Sequence, residues 1–483
     1  MPLHSLNWKH AGHNLAKYFW QVDWLVALAA LILMLHATSI IFFRQVLEHL
    51  RWVPFILLTA FGVIKIATTR RLPRRLRSFD ITAIAFLLWA LLSAVYSFEP
   101  MLTFLRAGSV ALVYAAVFGV LWQYADEHGE RLIVRALISA VAILVVLNFA
   151  TLLFWHAKAF PYNGRLAGWM ENPNAVAGLM ALAAPLALYF ALETSKKAYR
   201  LLFIGVVLSL ILTQSRTELF AALIGSGAFA LWVLRDRKAE IFIGMFIIIC
   251  LHLGWTILGP ALQPVGQTGF TPVEYPLDIQ DLADQNGAVP DQSSAVPDQS
   301  SAVPDQSSAV PDQSSAVPDQ SGAVPDQSSA VPNVRFFPKH LITFGGRVLM
   351  WVYGIDYLLE KPWIGYGFGL EEQLFRAHGV RAGQQYFSGE YFHNSYLGTM
   401  LQLGIPAGLL LIFLLGALLF RELRVVGRQS PPLLRTAMLG VLITGIISSF
   451  FGSWLLSMGN AIAFPFWTIV MLLVRSRESQ VAA

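Results

Sequence analysis

Cysteine and charge are both scarce in this chain. The single cysteine, Cys250, lies inside an apolar stretch and excludes an intrachain disulfide and a cysteine metal cluster. Charged residues make up 13% of the 483 positions and apolar residues 56%. That is about half the usual charged share of a soluble domain, whose core cannot absorb so much apolar side chain. A mean hydropathy of +0.58 points the same way. The HExxH, CxxC and GxxxxGK[ST] motifs are absent, so the zinc, thiol-redox and nucleotide chemistries they carry have no foothold here. The N-terminal segment lacks a small-residue cleavage site after a short apolar core, and is expected to be a cytoplasmic lead-in rather than a signal peptide. The net charge of +5 is no argument for nucleic acid, because the Lys and Arg residues flank apolar runs, as in cytoplasmic loops that set membrane orientation.

What is abundant is apolar runs near the ~20 residues a spanning helix needs. They lie near Val22–Phe43, Leu50–Thr68, Ile81–Phe98, Ala107–Trp122, Leu132–Trp155 and Ala175–Leu192. They continue near Leu201–Thr213, Leu219–Leu234, Ile241–Leu258, Leu401–Phe420, Leu433–Phe451 and Ala461–Val474. Lipid offers no partner to an open sheet edge, so these are predicted to be helices. The expected fold is all-α and integral to the membrane, with about twelve spans and both termini in the cytoplasm. Orientation follows from basic clusters at Arg70, Arg71, Arg74, Arg75 and Arg77, at Lys196, Lys197 and Arg200, at Arg235, Arg237 and Lys238, at Arg421, Arg424 and Arg428, and at Arg475 and Arg477. The mixed segment Asp126–Arg131 is the exception. The organisation expected is nine spans over residues 1–259, a long outside loop over 260–392, and three spans over 393–483.

Inside that loop a seven-residue unit, AVPDQSS, repeats from Gly287 to Asn333. A proline in each copy breaks any helix, and Ala and Val alone cannot build a coiled-coil seam. The composition predicts an extended tether. Beyond it, Gly346–Glu360 reads as an amphipathic helix with Val348, Trp351, Ile355 and Leu358 along one face, ended by Lys361-Pro362.

Four positions draw chemical attention. Arg216 sits in the short hairpin Gln214-Ser215-Arg216-Thr217, Arg165 in the loop before Glu171-Asn172-Pro173-Asn174, Arg347 at the start of the amphipathic helix, and His393 just before a span. Arginine is depleted on the outer face by the positive-inside bias, so arginines kept there need a reason. A guanidinium is the preferred clamp for phosphate, and the phosphates of a lipid-linked diphosphate sit at that depth. The competing reading is that each arginine, Arg106 included, snorkels to lipid headgroups. His393 reads either as a packing residue or as a base. Asn172 and Asn174 read equally as helix caps. The first outside loop, Arg44–Arg51, holds Glu48 but no aspartate, so no acidic pair stands ready for a divalent metal.

In sum of its parts the pattern resembles the O-antigen ligase and polymerase superfamily. The matching pieces are Arg165 to Gly178, Ser215-Arg216, Gly346-Arg347 to Trp351, Lys361 to Gly367, and His393 to Gly404, in that order from Leu132 onward. The repeat insertion and Glu218 are departures from the pattern. The resemblance implies a fold like that of C-type glycosyltransferases, with no metal and no cofactor. It implies transfer of a glycan from undecaprenyl diphosphate to a sugar hydroxyl at the periplasmic face. For a ligase the acceptor is lipid A core; for a polymerase it is another lipid-linked unit, and relatives glycosylate proteins. Membrane lipids are expected partners and nucleic acid is not. The residues implicated are His393 and Arg216 in catalysis, with Arg347, Arg165, Asn172, Asn174, Asn394 and Tyr396 in substrate binding. A lipid-sugar transporter is the alternative from another class, but transporters carry polar or broken helices at mid-membrane, whereas the polar residues here gather at the outer edge.

Overall fold

The computed structural model describes residues 22–70, 76, 78–161, 164–261, 346–377, 391–428 and 432–476. The N-terminal lead-in, the repeat at 287–333, and Arg71, Arg74, Arg75, Arg77 and Arg477 lie outside the described residues. Among the described residues the chain is helical and has no strand. In chain order the helices are α1 (Asp23–His36), α2 (Ile41–Leu50), α3 (Val53–Thr69), α4 (Ser78–Leu92), α5 (Pro100–His128), α6 (Glu130–Phe154), α7 (Pro173–Glu193) and α8 (Lys197–Leu212). They continue as α9 (Arg216–Val233), α10 (Lys238–Ala261), α11 (Gly346–Glu360), α12 (Glu371–Ala377), α13 (Ser395–Leu403), α14 (Ile405–Arg428), α15 (Leu433–Ser449) and α16 (Ala463–Arg475).

Every predicted apolar run is helical, and the chain is a multi-pass membrane protein. Seven stretches among the described residues are long and apolar enough for a full crossing, with α1, α15 and α16 apolar but shorter. That is fewer than the twelve runs, and the shortfall has local causes. The first run breaks after His36, and its tail becomes α2, a helix with no buried residue. The run predicted from Leu401 starts earlier, at Ser395, and is cut at Gly404, whose φ of 89° ends α13. Between α15 and α16 the chain runs irregularly through residues 450–462.

Helices in lipid gain nothing from burying apolar surface against one another, so close packing depends on small side chains. α7 shows this: its Ala- and Gly-rich sequence is buried on nearly all sides, packed by α8, α9 and α15. α9 crosses α15 backbone to backbone at Gly225 and Gly440; a Cβ on Gly440 would lie 2.8 Å from the Gly225 carbonyl oxygen. Thr444 Oγ1 donates to the Gly440 carbonyl (2.9 Å), with the Ala221 carbonyl at 3.3 Å, so the hydroxyl nearest the crossing point is paired. Elsewhere the fully buried Glu422 of α14 is clamped between Arg421 (2.7 Å) and Arg435 (2.8 Å). Two guanidiniums offset the cost of burying this carboxylate.

α11 forms as predicted, but its buried side is rotated. Met350, Tyr353 and Leu358 are buried, while Trp351 and Ile355 are half-buried. The side chain of Val348 lies outside the described set. The cause is tertiary: Phe375 and Phe392 close over the helix, and the Phe392 ring occupies the space that a Cβ on Gly354 would need.

Candidate active site

A cavity of roughly 1350 Å³ opens where the chain around α2, the starts of α7, α9 and α13, the turn at Phe368–Gly369, and the irregular segment 451–462 meet. Its charged lining comprises Arg44, Arg51, Arg106, Arg165 and Arg216 against Glu48, Glu171, Glu218 and Glu371. Burial pushes the Glu371 carboxyl up to about 7, against the hydrogen bonds it receives from Phe392, Ser453 and Gln402. A glutamate that is partly protonated near neutrality leaves the lining net positive and suited to an anion.

The arginines are not equivalent. Arg44 pairs with Glu171 (3.0 Å), and Arg51 lies 3.7 Å from Glu48 and 3.1 Å from His36 Nε2. Arg106 donates to the Gly369 carbonyl and to Gln373 Oε1 (3.0 Å), with Glu372 at 4.0 Å. Arg165 donates through Nε to the Thr213 carbonyl (3.0 Å) and through Nη2 to Asn174 Oδ1 (2.6 Å). Arg216 differs: it is exposed on the cavity wall and makes no hydrogen bond or ion pair among the described residues.

Arg216 is also the first residue of α9. The sequence Ser215-x-x-Glu218 is a capping box, yet the box does not form. Ser215 makes no side-chain capping bond, and Glu218 Oε1 instead accepts from Ser448 Oγ of α15 (2.9 Å). The first N–H groups of α9, which have no partner within the helix, therefore stand beside an uncommitted guanidinium, an arrangement suited to phosphate. Gln214, just before, has φ 54°.

His393 also lines the cavity, with φ 52°. A non-glycine residue in that region costs about 1–3 kcal/mol and persists only where its surroundings hold it. They do so here. Phe392 is fully buried; its N–H donates to Glu371 and its carbonyl accepts from Trp351 Nε1 (2.6 Å). On the other side, the Asn394 N–H donates to Ser453 Oγ (3.2 Å).

Of the predicted site residues, His393, Arg216, Arg165, Asn172 and Asn174 line this one cavity. Asn172 caps α7, accepting from the Asn174 N–H (2.8 Å), and Asn174 holds Arg165. Asn394 and Tyr396 are not in the lining. Asn394 Oδ1 caps α13, accepting from the N–H groups of Tyr396 and Leu397 (3.0 Å each). The Tyr396 hydroxyl is buried against Ser449 (2.8 Å) and the Ile446 carbonyl (3.3 Å). Arg347 is on the first turn of α11, and its side chain lies outside the described set. Sequence reading did not single out Arg44, Arg51, Glu371 or the segment 451–462. Glu371, two residues after Gly369, carries no motif that sets it apart. Among the described residues no group of three His, Cys, Asp or Glu side chains gathers as a metal site.

Compared with known families, residues 200–412 match the family model described as O-antigen ligase. The matched stretch contains Arg216, Arg347, Glu371 and His393, and stops short of segment 451–462. A search of curated proteins finds no match.

Proposed function

We propose, on the premise that residues 200–412 match the O-antigen ligase family model, that the chain moves a glycan from undecaprenyl diphosphate to a sugar hydroxyl of lipid A core, at the periplasmic face of the inner membrane. The superfamily is one of membrane glycosyl-transfer enzymes of the ligase and polymerase type. The observation that carries the finer reading is the meeting of uncommitted Arg216, at the uncapped start of α9, with His393 in one cavity.

The chemistry follows from that pairing. The donor's diphosphate lies against Arg216 and the first N–H groups of α9. Charge grows on the diphosphate as its bond to the anomeric carbon breaks, and fixed donors aimed at that charge lower the barrier. The acceptor hydroxyl attacks from the opposite face and passes its proton to His393, so the configuration inverts. Arg165, braced by Asn174 and Thr213, and Arg347 assist with the phosphates. Asn172 and Asn394 act by capping α7 and α13, whose starts line the cavity, and Tyr396 by anchoring α13. A cavity of about 1350 Å³ exceeds the ~300–1000 Å³ of a single small-ligand pocket, which suits a site taking donor and acceptor sugars together.

The test is gel analysis of surface glycan from a deletion strain. A ligase deletion leaves polymerised glycan stranded on the lipid carrier and bare core on the surface. Single repeat units on the core would make the chain a polymerase. Unchanged lipopolysaccharide with loss of glycoprotein would make it a protein glycosyltransferase.

A further inference from the structure

We propose that Glu371 is a positioning residue for this reaction: its carboxylate ties down the backbone on both sides of His393 and so sets where the imidazole meets the acceptor. This rests on the reading of His393 as the base.

The case is geometric. Glu371, at the start of α12, is buried and accepts three hydrogen bonds from three separate parts of the chain. The Phe392 N–H reaches Oε1, as does Ser453 Oγ (3.3 Å), and Gln402 Nε2 of α13 reaches Oε2 (3.3 Å). Ser453 Oγ in turn accepts from the Asn394 N–H (3.2 Å). The residue before His393 is thus held by Glu371 directly, and the residue after it through Ser453. A left-handed backbone at a non-glycine residue requires such restraint from its neighbours, and the two oxygens of Glu371 supply it by accepting from three donors at once. The next glutamate cannot substitute, because Glu372 is engaged by Tyr391 Oη (2.6 Å) and Arg376 (2.9 Å). Glu371 also fits closely: a Cβ on Gly398 of α13 would come within 2.5 Å of its Oε2.

The experiment compares wild type, Glu371→Ala and Glu371→Gln by three measurements. Amide hydrogen exchange is read on the purified protein in the peptide spanning Tyr391 to Leu403. Binding of glycan-free undecaprenyl diphosphate is measured on the same preparations. Transfer is followed in membrane vesicles from a deletion strain carrying each variant, with the strain's own donor and acceptor. Glu371→Ala is expected to speed exchange at Phe392 and Asn394 by about tenfold or more. It should leave undecaprenyl diphosphate binding within about twofold and lower transfer about a hundredfold. Glu371→Gln keeps the shape and one acceptor oxygen, so it folds, and transfer falls about tenfold with binding unchanged. Unchanged exchange, or wild-type transfer by either variant, overturns the proposal. So does a parallel loss of binding and transfer, which would make Glu371 a support for the whole cavity. Should Glu371→Ala fail to fold, Glu371→Gln decides alone. Should wild-type vesicles transfer nothing, the functional reading fails, while the exchange data still decide whether Glu371 holds the turn.

Discussion

Replacing Arg216 by lysine isolates what a guanidinium does that a charge alone does not. Arg216 has no hydrogen bond or ion pair to lose among the described residues, so the substitution leaves the folded protein intact and acts on the donor alone. Against a diphosphate, arginine presents two parallel N–H groups and lysine a single rotating ammonium. The difference is about one charge-assisted hydrogen bond, roughly 1.5–3 kcal/mol. At ~1.4 kcal/mol per factor of ten, transfer should fall between about tenfold and a hundredfold. The assay uses purified variant in lipid with lipid-diphosphate glycan and acceptor, alongside a thermal melt. Arg165→Lys is the control, since it breaks bonds to Thr213 and Asn174 and should lower the melting temperature as well. An Arg216→Lys variant with wild-type transfer would refute the phosphate role and return this residue to the lipid headgroups. A melting temperature that falls in step with activity would refute the claim that the residue is structurally uncommitted.

Further outcomes follow from the same site and from the loop. His393→Ala should cut transfer by about 10²- to 10⁴-fold, the usual contribution of a positioned base, with donor binding kept; full activity would remove the base assignment. Deleting three copies of the AVPDQSS unit should leave transfer nearly unchanged, because loop closure costs only about 0.6 kcal/mol per doubling of length. Complete loss of activity with normal expression would give the repeat a task beyond linkage. A reporter active only in the periplasm, fused after Ser307, should be active; a fusion active in the cytoplasm would reverse the orientation and move the proposed site to the wrong side.

Much of the fold is legible in local composition, because apolar runs are long and lipid leaves helices as their only backbone solution. What composition cannot show is where a run breaks. The stop after His36 and the recast of Ile41–Leu50 as α2 go with Arg44 and Arg51 reaching Glu171 and His36, and Glu171 is remote from the run. The rotation of α11 depends on Phe375 and Phe392, which are remote in sequence from the face they cover. Within the site, Arg216 and His393 stand out as polar residues in hydrophobic settings. Glu371 does not, since its meaning arises only when Phe392, Gln402 and Ser453 are brought to it. The capping box at Ser215–Glu218 misleads in the opposite direction: the motif is present, but Ser448 claims the glutamate.

The irregular stretch between α15 and α16 bears on how a very greasy substrate is handled. α16 has 13 residues, about 20 Å at 1.5 Å per residue, against a hydrocarbon layer about 30 Å thick. On the proposed function the rest of that crossing falls to residues 450–462, of which 451–462 wall the cavity, and polar space then extends below the level of the headgroups. A donor that slides in sideways can then present its phosphates while its polyprenyl tail stays in the bilayer. Lifting such a tail into water would cost about 0.8 kcal/mol for each methylene exposed. A site sunk to this depth removes that extraction from the reaction path and makes lateral diffusion in the membrane the route of supply.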